Sequence, residues 1–377
     1  MNIGTKLLHI GNEVDKMTGA VVPPVHYAST YKQTKATDIG PYEYSRGQNP
    51  TREILEESIA SLENGSHGFA FSSGMAAISS VFMLFAPGDH IVACADIYGG
   101  AYRALTGLFN RFDIEVTFVD TTDLSNIEKA IQNNTKAVYL ETPSNPLLKI
   151  TDLKGAAQIA RDNNLLSIID NTFMSPLLQR PVDLGIDIVV HSATKFLAGH
   201  SDVLAGLAVV NDEKLAKRLK FVQTSFGAVL GPQDCWLTLR GIKTLKARMK
   251  EQEESAIKIA EWLSEDSRVA EVFYPGLPSH PGREIHLEQA DGFGAVLGFK
   301  VKNKNKALKV MENVKIPVLA VSLGAVESII SYPTTMSHGS VPDDVRKGLG
   351  IEDNLIRLSV GLEDVNDLIE DLDENLE

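Results

Sequence analysis

The stretch "IDIVVHSATKFLAGHSDVLAG", residues 186–206, holds an apolar, β-branched run that ends in a histidine, two hydroxyl residues and a lysine before breaking into glycines. It poses a direct question: why a strand apolar enough to be buried should deliver a lysine at its end. The same design recurs on either side of it. From about residue 90, short strand candidates alternate with helical segments: "HIVACA" (90–95), "IEVTFVD" (114–120), "TKAVYLETP" (135–143), "LLSIIDNT" (165–172), the opening stretch and "LAGLAVVN" (204–211). Segments between them, such as "TDLKGAAQIARDNN" (151–164), open on Thr or Asp caps and carry apolar residues at helical spacing. Strands without an alternating polar face, separated by helices, predict an α/β protein with a mostly parallel sheet covered on both faces.

The chain of 377 residues, 44% of them apolar, is long enough for more than one domain. Near residue 245 the rhythm gives way to a long helical region, "IKTLKARMKEQEESAIKIAEWLSED" (242–266), followed by "VAEVFYPG", the strand-like "GFGAVLGFKV" and further helices. The pattern predicts an N-terminal arm over 1–47, rich in Pro, Tyr and Thr, a large domain over 48–244 and a smaller α+β domain over 245–377.

Several functions are disfavoured by composition. A net charge of −13 with no basic patch interleaved with aromatics argues against a nucleic-acid partner. The acids are densest in the tail, where Val365, Leu368, Ile369, Leu372 and Leu376 recur at helical spacing, so these acids form the wet face of a helix. Apolar runs are too short to span a bilayer, and the N-terminus lacks a signal-peptide pattern, so a cytoplasmic protein without membrane attachment is expected. The two cysteines, Cys94 and Cys235, sit in no CxxC and read as buried thiols. His280 and His286 in "SHPGREIH" are separated by a Pro-Gly pair and lack a third ligand, so no metal site is expected. "GFGAVLG" (292–298) opens no βαβ unit and no acid follows at the right distance, which makes a nicotinamide-dependent oxidoreductase a poor reading.

In open α/β sheets, ligands bind at the carboxyl ends of the strands. Three such features converge here. Asp170 ends the apolar run of "LLSIIDNT"; Lys195 follows Ser192 and Thr194; and in "FAFSSGMAAISSVFMLF" (69–85) Ser-Ser-Gly opens a helix whose first N–H groups are free to hold an anion. An amine nucleophile, a phosphate cradle with extra hydroxyls and a buried carboxylate are together the equipment for pyridoxal 5'-phosphate. In that assignment the lysine forms the Schiff base and the aspartate keeps the pyridine nitrogen protonated.

With these residues in place, the sequence resembles the cystathionine synthase and lyase family of pyridoxal phosphate enzymes of cysteine and methionine metabolism. Their fold is type I, aspartate-aminotransferase-like. The likeness runs over nearly the whole chain and rests on "YEYSRGQNPTR", "FSSGMAAI", "DIYGGAYR", "ETPSNPLLKITD", "IIDNTF", "HSATKFLAGHSD", "GPQDCWLTLRGIKTL", "SLGAVESIISYP" and "LIRLSVGLED". The resemblance implies that Lys195 carries the cofactor and shuttles protons, that Asp170 pairs with the pyridine nitrogen, and that Tyr98 stacks on the ring. It implies that Gly74, Met75, Ser192 and Thr194 hold the phosphate, with Tyr44 and Arg46 reaching a neighbouring subunit's phosphate. That reach implies at least a dimer, and the resemblance implies a homotetramer with active sites shared across a dimer interface. Arg357, helped by Asn145 and Ser322, is implied to clamp the carboxylate of a small amino-acid substrate, and Arg103 to lie toward the distal end of a long one.

Departures bear on the reaction. Relatives acting at the γ-carbon often have Glu immediately before Ser-Leu-Gly; here Val321 stands there. Methionine γ-lyases commonly carry Cys where this chain has Gly100. The resemblance implies a carbon–sulfur lyase cleaving cystathionine by γ-elimination with β-elimination as a side activity, closest in look to bacterial cystathionine γ-lyase, although Val321 weakens the choice of γ. Cystathionine γ-synthase and cystathionine β-lyase are the alternatives, and a non-enzymatic cofactor-binding protein is the outlying one.

Overall fold

The computed structural model describes residues 1–11 and 13–377. Seven strands form the larger sheet: β1 (His67–Phe71), β2 (His90–Cys94), β3 (Glu115–Val119), β4 (Thr135–Glu141), β5 (Leu166–Asp170), β6 (Ile188–Ser192) and β7 (Gly206–Val210). Their spatial order is β1-β7-β6-β5-β4-β2-β3, and only β7 runs against the others. The α/β, mostly parallel architecture expected from the sequence is present. All residues of β2 and β7 are buried, which is why their sequences lack a polar alternation. Strand β1 was hidden in the sequence, because "HGFAF" runs directly into the Ser-Ser-Gly helix start without a breaker of its own.

Caps written in the sequence set the helix starts. Ser73, in an extended conformation, takes the Ala76 N–H on its side chain and starts the helix Gly74–Phe82. Asp152 and Asp212 start Leu153–Asp162 and Glu213–Phe226 in the same way, through Gly155 and Leu215. The latter helix stops at Gly227, whose φ of 78° suits a residue without a Cβ.

The smaller sheet comprises β8 (Val269–Phe273), β9 (Val296–Val301), β10 (Val318–Leu319), β11 (Ile329–Ser331) and β12 (Leu355–Ser359), in the order β10-β11-β12-β9-β8. Between the sheets runs a 34-residue helix, Pro232–Glu265, which starts well before the helical region expected near residue 245. Gly231 and Pro232 mark its start, and a buried stripe continues unbroken beyond them. Cys235, Leu239, Ile242, Leu245 and Met249 pack into the core of the large sheet. Ala256, Ile259, Ala260 and Leu263 pack into that of the small one. We propose that the change of domain occurs inside this helix, where its buried side chains pass from one core to the other.

The arm is not uniformly extended. Its first segment is a helix, Ile3–His9, docked by the buried Leu7 and by Lys6 Nζ donating to Ser61 O at 3.0 Å. Beyond it, Val21, Tyr27, Ile39 and Tyr44 are exposed. Cys94 and Cys235 are both buried free thiols. Among the described residues no group of three metal-ligating side chains gathers, and no helix is long and apolar enough to cross a membrane.

Candidate active site

Strands β2, β4, β5 and β6 point their carboxyl ends at one cleft of about 1090 Å³. The chain order explains why. The path from β2 to β3 moves toward one edge and that from β4 through β5 to β6 toward the other, so the connections part there and leave a crevice. The residues just past the four strand ends supply the polar lining: Tyr98, Asn145, Thr172, and Thr194 with Lys195. The small sheet closes the cleft from above with Val318, Ala320, Val321, Ser322 and Arg357.

Asp170, the last residue of β5, is 7% exposed. It accepts the Thr172 N–H at 3.1 Å and the Thr172 hydroxyl. The same hydroxyl oxygen accepts the Ser192 N–H at 2.8 Å, so one threonine ties the ends of β5 and β6 together. Burial raises the Asp170 carboxyl above the ordinary carboxylate range, and the bonds from Thr172 oppose the rise.

Lys195 answers the opening question. It sits in the turn after β6, and its Nζ donates to Ser322 Oγ at 2.6 Å. Burial, reinforced by the Arg357 charge, pulls its amine down to about 8. An amine so lowered reaches its nucleophilic, unprotonated form far more readily than a surface lysine.

Arg357 lies in β12, 3% exposed. It donates from Nη1 to Asn145 Oδ1 at 3.0 Å and from Nη2 to Ser322 O at 2.7 Å. No carboxylate pairs with it among the described residues, its Nε is unpartnered, and burial pushes it down to about 10. A buried guanidinium held by two neutral acceptors is arranged to receive a carboxylate in bidentate fashion.

The residues expected to seat a phosphate are gathered here as well. A Cβ at Gly74 would stand 2.7 Å from Ser192 Cβ and 2.8 Å from its Oγ, so only glycine brings the helix start this close to the serine. Ser73 caps Ala76, and the Gly74 and Met75 N–H groups belong to the first turn, where the helix offers no acceptor. Thr194 Oγ1 accepts the Ala205 N–H at 3.0 Å and donates to Ala205 O at 3.3 Å, which fixes the hydroxyl beside Lys195. Together with Lys195 and Asp170 these groups fit pyridoxal phosphate: a nitrogen nucleophile, an anion seat and a carboxylate in one cleft.

The structure thus brings Gly74, Met75, Tyr98, Asn145, Asp170, Ser192, Thr194, Lys195, Ser322 and Arg357 to the cleft. Arg103, and Tyr44 and Arg46, which the resemblance assigns to a neighbouring subunit's site, do not line it. Tyr44 and Arg46 lie on the exposed arm, with the Arg46 guanidinium 5.6 Å from the Tyr44 ring centre. Arg103 is exposed at the end of the helix Gly99–Arg103. Sequence reasoning missed Thr172, whose hydroxyl looks like ordinary turn chemistry, and Glu141. The latter ends "AVYLE" as Asp170 ends its own run, and that parallel was the available signal.

Comparison with known proteins gives the same answer. The family model for Cys/Met metabolism PLP-dependent enzymes matches residues 4–377. The chain is 54% identical to cystathionine beta-lyase MetC of Bacillus subtilis (strain 168) over 372 residues, 99% of this chain and 95% of that one. It is 52% identical to the cystathionine gamma-lyase of the same organism over 373 residues, 99% and 98% of the two chains. The crystal structure of cystathionine gamma-lyase from Lactobacillus plantarum complexed with L-serine superposes with a TM-score of 0.97 at 46% identity, covering 100% of this chain and 98% of that one. A cleft built for pyridoxal phosphate and a match along almost the entire chain place this protein in the Cys/Met metabolism PLP-dependent enzyme family.

Proposed function

We propose that the protein is a carbon–sulfur lyase that cleaves cystathionine, chiefly by γ-elimination: cystathionine and water give cysteine, 2-oxobutyrate and ammonia. The observation that carries this reading is the convergence of Lys195 and Arg357 on Ser322, one through its hydroxyl and the other through its carbonyl. An α-amino acid held by its carboxylate at Arg357 and Asn145 has its α-carbon within reach of the Lys195 amine.

Pyridoxal phosphate, when bound, supplies the sink for the electron pair left at the α-carbon. The chain's own residues do the rest. Asp170 offers a buried negative charge to a ring nitrogen and so favours its protonated form, with Thr172 fixing the orientation of the carboxylate. Lys195 takes the α-proton, and for γ-cleavage it must also take one from the β-carbon. Ser322 gives Nζ a hydrogen-bond partner at the substrate side of the cleft. Leu204, Val318, Val321 and Met336 give the cleft an apolar wall suited to a thioether chain, and the exposed Asp202 and Glu327 offer charge to a distal ammonium.

β-Elimination to homocysteine, pyruvate and ammonia is the second reading, and Val321 favours it. With valine beside Ser322, that part of the wall holds no acid to fix the distal chain in one pose. We further infer a tetramer in which Tyr44 and Arg46 complete a neighbouring subunit's phosphate site, because both lie exposed on a stretch of the arm where Val21, Tyr27 and Ile39 are exposed too. The deciding experiment is product analysis with cystathionine alone: 2-oxobutyrate in excess supports the proposal, and pyruvate in excess replaces it with a β-lyase. Turnover seen only with activated homoserine plus cysteine replaces it with a synthase.

A further inference from the structure

Glu141 is the one buried carboxyl of the cleft that the chemistry above does not use. It ends β4, is 5% exposed, and stands in register beside Asp170 on β5. Its Oε2 accepts the backbone N–H of Tyr98 at 2.8 Å, and the Asn145 backbone N–H faces the carboxyl closely enough to oppose its rise. These two contacts reach different working parts of the site. Tyr98 begins the helix that follows β2, and Asn145 holds Arg357 Nη1 at 3.0 Å.

We propose that Glu141 is a positioning residue: its carboxyl joins the Tyr98 turn to the Asn145 turn, and so sets where the aromatic ring and the carboxylate clamp stand around the cofactor. The β4 end is a sound anchor for this purpose, since its neighbours Ala137, Val138, Tyr139 and Leu140 are fully buried in the sheet. Tyr98 itself is 39% exposed, and its side chain makes no capping bond to the helix it starts. Losing the acceptor would leave the Tyr98 N–H without its partner, a cost the turn relieves by moving. Burial, with the Asp170 charge added to it, holds the Glu141 carboxyl well above the usual carboxylate range. Glutamine, with one carbonyl acceptor of the same reach, keeps the contact to the Tyr98 N–H.

The inference rests on the placement of Tyr98 and Arg357 in the proposed reaction, and the test separates the two. Cofactor-loaded Glu141→Ala, Glu141→Met and Glu141→Gln are compared with the parent by visible circular dichroism of the bound cofactor, by cofactor dissociation, and by KM and kcat for cystathionine. Alanine and the volume-conserving methionine are expected to weaken the dichroic band, to speed cofactor loss, and to raise KM about tenfold with a smaller change in kcat. Glutamine is expected to restore the band and to return KM to within about threefold of the parent. Unchanged dichroism and KM in the alanine and methionine variants would overturn the proposal. So would a glutamine variant as impaired as alanine, which would assign the effect to the carboxyl's proton. If alanine and methionine both fail to fold while glutamine behaves as the parent, the role is structural and the proposal falls. A parent that binds the cofactor but leaves cystathionine intact would fail the functional reading alone, since the dichroism and dissociation arms do not depend on that substrate.

Discussion

Lys195 Nζ and Ser322 Oγ are 2.6 Å apart, although 127 positions separate them in the chain and they belong to different sheets' loops. The bond holds the amine at the face where the small sheet meets the strand ends, beside Arg357. Burial and that guanidinium together bring the amine to about 8. Since only the free base attacks a carbonyl, cofactor uptake by the stripped protein is expected to accelerate as pH rises through about 8 and then level off. The sign for stability is the same: a lysine lowered on folding costs stability while charged, so this cost is relieved as pH climbs from about 8 toward the ordinary lysine value of 10.5. Stopped-flow absorbance of cofactor binding against pH checks the first statement. Borohydride is expected to fix the cofactor to Lys195, and Lys195→Ala to abolish turnover in a folded protein; label on a different lysine would refute the assignment.

Asp170→Asn preserves shape and removes charge. Turnover is expected to fall by several orders of magnitude and cofactor affinity to drop, since a neutral amide no longer favours a protonated ring nitrogen. Near-parental kcat in this variant, with the cofactor bound, would exclude the role.

Arg46→Ala and Lys195→Ala are each expected to be inactive alone. Arg46 lies exposed and outside its own cleft lining, so a mixed oligomer should regain activity at sites that receive an intact Arg46 from one chain and an intact Lys195 from another. The measurement is activity after verified subunit exchange. No recovery would place the whole site in one chain.

Val321 is 67% exposed at the cleft wall, so an acid can be introduced there without being buried. Val321→Glu is expected to raise the ratio of 2-oxobutyrate to pyruvate formed from cystathionine, because an anion beside Ser322 holds an ammonium group of the substrate in one orientation. An unchanged ratio would show that this position does not govern the choice of bond.

Behind the sheet, His191 Nε2 and Glu63 Oε1 are 2.6 Å apart with both side chains essentially inaccessible, and Asn171 Nδ2 donates to the same oxygen at 3.0 Å. His191 and Asn171 directly adjoin Ser192 and Asp170 in the chain. Glu63→Ala strips both of an acceptor and is expected to cost about 3 kcal/mol of stability, the usual penalty for breaking a buried pair. Denaturant unfolding of the holoenzyme reads it, and a change below about 0.5 kcal/mol, the range of ordinary surface substitutions, would refute the estimate.

By itself the sequence determined the elements and much of the cleft's chemistry. Strands buried on both faces must be apolar throughout, helices must satisfy their first N–H groups, and a charged residue closing an apolar run must stand at a strand end. Those local rules were enough to find Asp170, Lys195, Ser192 and the helix at Gly74. They could not reveal β1, whose five residues carry no turn signal before the next helix, nor the true start of the helix Pro232–Glu265. Nor do local rules say which strand ends become neighbours. That choice follows from the strand order, in which β4 lies between β2 and β5 and sets Glu141 beside Asp170. The tertiary structure alone decided that Arg357 meets Asn145, that Ser322 meets Lys195, and that Arg103 and Arg46 stand outside the cleft of their own chain. The reason is physical: side-chain types and local periodicity are properties of short segments, whereas burial, lowered amine basicity and a shared hydrogen-bond partner arise only when distant segments exclude water from one another.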